Sequence, residues 1–164
     1  MRNNFESLLV RSIRNYFATN DIDAFVERRI QSRYRKQYCD IIIDGALGFY
    51  AVECKSIGGN HLYFNSNFHT VEDGLNQTHQ VETIDWFLHK TRRRGFLAVE
   101  LRNYGRRGNR CYLIPWESVL RRFRASEKGF TADEIKAYPC AVKVNKLYDM
   151  TEVIQSLVYP LHTL

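Results

Sequence analysis

Asp40, Glu53 and Lys55 are the residues whose types and spacing point most directly to chemistry. They sit in residues 39–56, CDIIIDGALGFYAVECKS, where two apolar, β-rich runs flank the turn cluster Asp44-Gly45-Ala46-Leu47-Gly48. That pattern predicts a β-hairpin with a loop of about four residues. Pairing Asp44 with Phe49 across the turn puts Asp40 directly opposite Glu53, with Cβ atoms about 5 Å apart. Lys55 follows Glu53 by two residues and projects from the same face, while Cys54 points away. A slip of one residue would destroy this convergence.

Facing carboxylates repel unless something positive lies between them. Hard cations such as Mg²⁺ meet that need through oxygen ligands, and the backbone carbonyl of Cys54 could add one more. Such an ion can activate water and stabilise the leaving oxygen of a phosphodiester. A neighbouring lysine can orient the water or offset charge growing on the phosphate. The plainer alternative is an ordinary hairpin, with the Asp capping a turn and the Glu–Lys pair at the solvent edge. The apolar flanks count against it, because charges within such strands need a reason to be there.

Several elements must position these side chains. Phe5, Leu8, Leu9, Ile13, Tyr16 and Phe17 recur at helical spacing over residues 5–17. Residues 23–30 read as a first strand. Residues 56–69, with two glycines and three asparagines, read as a mobile loop. Residues 71–90 read as a second helix opened by a capping-like Thr70-Val71-Glu72-Asp73. FLAVEL and CYLIP read as strands around a turn at residues 104–109. Helical segments are expected from Trp116 to about Phe123, after the capping box at Thr131, and over residues 151–158. The order predicts an α/β architecture, a mixed β-sheet core flanked by helices, in one domain spanning residues 1–164.

The 164 residues carry 24 Lys and Arg against 18 Asp and Glu, a formal charge of +6. Seventeen of the basic residues are arginine, whose planar, bidentate geometry suits phosphate. Seventeen basic residues also fall in four runs, at 28–36, 90–94, 102–110 and 121–128. The first run leads straight into Asp40. Arg29, Arg33, Arg35 and Lys36 could form a phosphate path that positions a DNA backbone without reading bases. Tyr34 and Tyr38 interleave with it, either to stack at a strand crossover or as core-edge residues. The alternative for any such run is a solvated face. No CxxC spacing relates Cys39, Cys54, Cys111 and Cys140, so reduced core thiols are expected and zinc is not indicated. The scattered histidines form no metal motif. No stretch approaches a membrane span, and the charged N-terminus does not read as a signal peptide, so a cytoplasmic protein without membrane contact is expected.

Asp40…Glu53-Cys54-Lys55 on a hairpin, after an N-terminal helix bearing Glu6, resembles the PD-(D/E)XK nuclease superfamily. It is similar in particular to the Holliday junction resolvases of that superfamily, the bacterial RecU type and the archaeal Hjc type. The Asp40–Glu53 separation, His79-Gln80-Val81-Glu82, Tyr112-Leu113-Ile114-Pro115-Trp116 and Ala137-Tyr138-Pro139 resemble RecU. The short stretch before Cys39 leaves no room for the RecU stalk and is closer to Hjc. Asn67-Phe68-His69 resembles a segment that in RecU lies nearer the His-Gln pair.

The resemblance implies a restriction-endonuclease-like fold. It assigns Asp40 and Glu53, with the Cys54 carbonyl, to metal binding, Lys55 to catalysis, and Glu6 and Gln80 to the catalytic centre. For Glu6 a solvated helix-start acid is the equal alternative; for Gln80 it is a surface amide. The activity implied is a Mg²⁺-dependent endodeoxyribonuclease, with Mn²⁺ as substitute and no small-molecule cofactor. It would resolve four-way junctions in recombination and repair by paired nicks that leave 5′-phosphates. Two symmetric cuts imply a homodimer. The rivals are another repair or restriction-type nuclease of this fold, and a non-catalytic DNA-binding module.

Overall fold

The structure, a computed structural model, describes residues 5–30, 37–73, 75–102 and 108–158. Its centre is a seven-stranded sheet of β1 (Ala24–Arg28), β2 (Ile41–Gly45), β3 (Gly48–Ile57), β7 (Arg94–Leu101), β8 (Arg110–Pro115), β10 (Cys140–Val144) and β11 (Leu147–Tyr148), in that spatial order. β3 and β7 run parallel and every other neighbouring pair is antiparallel, so the expected mixed α/β sheet is present. A parallel pair needs a crossover. Here the crossover carries β4 (His61–Tyr63), α2 (Phe64–Asn67), β5 (Thr70–Asp73), β6 (Asn76–His79) and α3 (Gln80–Thr91).

The near-continuous apolar runs of β2, β3 and β7 follow from burial on both faces. On one face Ile41, Ile43, Val52, Cys54, Phe96 and Ala98 pack with Leu9 and Ile13 of α1 (Phe5–Thr19) and with Val153 and Ile154 of α6 (Thr151–Val158). On the other, Ile42, Ala51, Leu97 and Val99 meet Val81, Ile84 and Leu88 of α3 and Val119 of α4 (Trp116–Arg124). Gly95 lies where α3 and α4 converge on β7. A Cβ there would collide with the Leu88 side chain and come within 2.9 Å of Trp116 Cβ.

Three expectations are corrected. The hairpin loop is two residues, Ala46 and Leu47, because Gly45 and Gly48 still pair. Residues 56–69 are not a loop. Leu62, Phe64 and Phe68 are buried, and β4 pairs with β9 (Gly129–Thr131). The helix predicted over 71–90 begins only at Gln80. The preceding residues form a two-stranded ribbon, β5–β6. Thr70 is thus no cap. The cap is His79, whose Nδ1 accepts from Val81 N while Glu82 accepts from His79 N.

The Thr131–Glu134 capping box forms as predicted and opens α5 (Ala132–Ile135). β10 and β11 were not expected from the sequence. Val142 and Val144 are exposed, and the turn uses Asn145 and Lys146 at φ 50° and 71° rather than a glycine.

Candidate active site

β2 and β3 pair from Gly45↔Gly48 to Ile41↔Val52, the frame that sets Asp40 opposite Glu53. The β2 ladder stops one residue short of Asp40. Its backbone N–H still donates to Val52 O at 3.0 Å, and its carbonyl accepts from Arg29 N at 2.7 Å. Its side chain turns onto β3, where Oδ2 accepts from Cys54 N at 2.7 Å and Oδ1 from Gln37 Nε2 at 2.9 Å. The Cys54 N–H therefore faces the flank that β2 vacates. In a strand the carbonyl of a residue points the same way as its N–H, so Cys54 O borders this flank too.

Glu53 and Lys55 project from the other side of β3 to Cys54, toward α3. Glu53 is only 4% exposed, so its charge needs partners. Its Oε1 accepts from Lys55 Nζ at 2.8 Å and from Gln80 Nε2 at 2.8 Å. Lys55 Nζ also donates to Gln80 Oε1 at 3.3 Å and stands 4.7 Å from the centroid of the Phe68 ring. Gln80, the first residue of α3, thus bridges acid and base with both ends of its amide. The surface-amide alternative fails, since Gln80 is buried.

Burial above all, and then the Glu53 carboxylate, push the Asp40 carboxyl up to about 7 against the pull of the Cys54 N–H and Lys55. Burial disfavours the charged form of the acid, and a second carboxylate nearby adds to that. The Cys39 thiol is pushed up to about 12 and that of Cys54 well above its ordinary value, both first by burial. These cysteines are protonated core thiols, as expected. Glu6 borders the same cleft, of about 220 Å³, with Gln37, Asp40, Glu53, Lys55, His69 and Gln80. It is the acid of the first turn of α1, partly exposed, and Arg28 Nη2 holds its Oε2 at 2.6 Å.

Oxygen dominates the donor set: two carboxylates and one backbone carbonyl. Among the described residues no three His, Cys, Asp or Glu side chains gather as a metal-binding group. The oxygen donors alone are of the kind Mg²⁺ takes, one or two carboxylates from a protein with waters completing its shell. Glu53 Oε2 accepts no hydrogen bond from the described residues. A larger cleft of about 330 Å³ lies between α3, α4 and the start of β7. Its Asp85 is bridged to His89 and Arg124, and no lysine lines it. Convergence of acids with Lys55, not size, marks the site.

The ribbon explains the spacing of Asn67-Phe68-His69 from the His-Gln pair. Thr70 pairs with His79, and Gln80 N donates to His69 O at 2.9 Å. The pairing of β5 with β6 thus brings His69 beside Gln80. Sequence reasoning gave Phe68, His69 and His79 no role beyond that resemblance, and it missed Gln37, for which no motif exists.

Of the proposed phosphate path, Arg33, Arg35 and Lys36 lie outside the described residues, as does Tyr34. Arg29 is described and reaches Glu27 at 3.4 Å. Tyr38 stacks on Phe87 with centroids 5.1 Å apart, a packing contact with α3. Other basic runs are partly internal. Arg93 pairs with Asp44, Arg94 donates to Leu157 O at 2.8 Å, and Arg122 donates to Glu134 at 2.8 Å. Among the described residues no helix is long and apolar enough to cross a membrane.

No protein-family model matches the chain, and no curated protein matches it. Among solved structures it is similar to Hjc of Archaeoglobus fulgidus, a Holliday junction resolvase from an archaeal hyperthermophile. The TM-score is 0.48 and the identity 17%, over 78% of this chain and 92% of that one.

Proposed function

We propose that this chain is a Mg²⁺-dependent endodeoxyribonuclease that resolves four-way DNA junctions as a homodimer. The observation that carries the reading is the meeting of Asp40, Glu53 and Lys55 in one cleft, where Glu53 and Lys55 lie 2.8 Å apart. Asp40 and Glu53, with the Cys54 carbonyl, would hold the ion, and Mn²⁺ would substitute. A bound divalent ion supplies Lewis acidity at the phosphate and lowers the pKa of water. Lys55 orients the attacking water or donates to a non-bridging phosphate oxygen, and Gln80 keeps Lys55 and Glu53 in register. Water oxygen attacks phosphorus and the bond to the 3′ oxygen breaks, leaving a 3′-hydroxyl and a 5′-phosphate. Glu6, fixed by Arg28, contributes negative charge at the cleft edge. Arg29, Arg33, Arg35 and Lys36 guide the backbone toward it. Junction selectivity and the dimer rest on the resemblance and on the need for two symmetric cuts.

The test offers an end-labelled four-way junction and a linear duplex of the same arms, with Mg²⁺, Mn²⁺ or chelator. Paired, symmetric nicks in the junction alone, only with metal, are expected. Equal cutting of the duplex would contradict junction selectivity. Cutting in chelator would contradict metal dependence, and binding without cutting in any metal would favour a non-catalytic DNA-binding module.

A further inference from the structure

We infer that Phe68 is a positioning residue for Lys55, its ring face holding the ammonium beside Glu53 and Gln80. The inference rests on the nuclease reading for its effect on turnover, but not for its geometry. Lys55 Nζ lies 4.7 Å from the Phe68 ring centroid, within range for a cation–π contact. The ring itself is fixed. Phe68 is 3% exposed, and its centroid stands 5.8 Å from that of Phe64 and 6.1 Å from that of His79.

Lysine is a compact charge on a flexible stem, so one carboxylate alone leaves the ammonium free to swing. Here Glu53 Oε1 and Gln80 Oε1 each take an N–H. The ring supplies a third restraint that stabilises the charge without using a lone-pair acceptor. One N–H of the ammonium is then left for a phosphate oxygen or a water in the cleft. The backbone next to Phe68 ties into the same assembly. His69 N approaches Gln80 Oε1 at 3.4 Å, and His69 O accepts from Gln80 N at 2.9 Å. Displacing the ring would disturb two of the three restraints on Lys55, the ring face and Gln80.

Deleting the ring and weakening its face separate this role from packing. Phe68→Leu removes the π face. Replacing Phe68 by 4-fluoro-, 3,5-difluoro- and 3,4,5-trifluorophenylalanine drains the face stepwise at nearly constant shape. Two readouts are taken. The first is the ¹H shift of the Lys55 ε-methylene, assigned by its loss in Lys55→Gln. A ring at this distance should move it upfield, and Phe68→Leu should abolish that displacement. The second is the single-turnover rate of junction cutting at saturating Mg²⁺. It should fall with each fluorine and drop about tenfold in Phe68→Leu, with junction affinity unchanged.

An unshifted Lys55 methylene in the unaltered protein would overturn the inference. So would fluorinated proteins that cut as fast as the parent while Phe68→Leu is slow, because packing alone would then explain the loss. A displaced methylene in a protein that cuts nothing would support the placement of Lys55 by Phe68 and overturn the nuclease reading instead.

Discussion

Gln80 shows how much one side chain can decide. Its amide donates to Glu53 at 2.8 Å and accepts from Lys55 at 3.3 Å, so acid and base share a single brace. Outer partners of this kind typically carry 10–100-fold in activity. Gln80→Ala should therefore slow single-turnover cutting by about 10–100-fold, with junction affinity kept. Gln80→Glu should do worse, since it places a second carboxylate against a buried one. A gel-based rate on a labelled junction checks both. Asp40, Glu53 and Lys55 were legible in the sequence because a period of two and one turn fix which residues face each other. Gln37, which donates to Asp40 at 2.9 Å, was not. Its contact depends on how the chain approaches β2, and nothing in its neighbours' types encodes that path.

Two places show what holds the elements together. The first is the seat of α3 and α4 on β7. Gly95→Ala would force a methyl against Leu88 and Trp116, and such overpacking costs about 1–3 kcal/mol. A matching fall in the denaturation midpoint is expected. The second is the start of α5. Arg122 first, and then the Thr131 backbone N–H, hold the Glu134 carboxyl down to about 2, below the ordinary 4.5. A depressed acid favours the folded state above its unfolded pKa, and loses that advantage as pH falls through its folded pKa. The melting-temperature gap between the parent and Glu134→Gln should be full at neutral pH. It should shrink from about pH 4.5 and close near pH 2. Exposure of this pair keeps the gap small. A gap that widens in acid would contradict the assignment.

Elements differ in how plainly their residues encode them. Strands buried on both faces, such as β3 and β7, announce themselves as apolar runs. Residues 70–79 misled because Thr70 followed by acids mimics a helix start, while ribbon pairing depends on Thr70 meeting His79 across a turn. Residues 61–64 hid for a different reason. β4 exists only by pairing with β9, some seventy residues away, a contact that no local pattern shows.

The whole molecule offers one Asp40–Glu53–Lys55 cleft per chain, so paired cutting needs two copies. If the chain acts as the proposed homodimer, a dimer of one parent chain and one Glu53→Gln chain should nick a single strand of the junction. Symmetric double cuts from that mixed dimer would mean that one cleft serves both strands. The charge of +6 takes its meaning at this scale as well. Arg28, Arg93 and Arg122 are spent on Glu6, Asp44 and Glu134, so under the proposed function attraction to DNA would fall to other cations.

Under the proposed function Asp40 serves metal-dependent hydrolysis rather than folding or DNA affinity. Asp40→Asn tests it most directly, because the amide oxygen can still accept from Cys54 N. With Mg²⁺ and a labelled four-way junction, the variant should bind as tightly as the parent and cut at least about a thousandfold more slowly. An Asp40→Asn protein that folds, binds the junction and cuts it at the parent's rate would contradict the account.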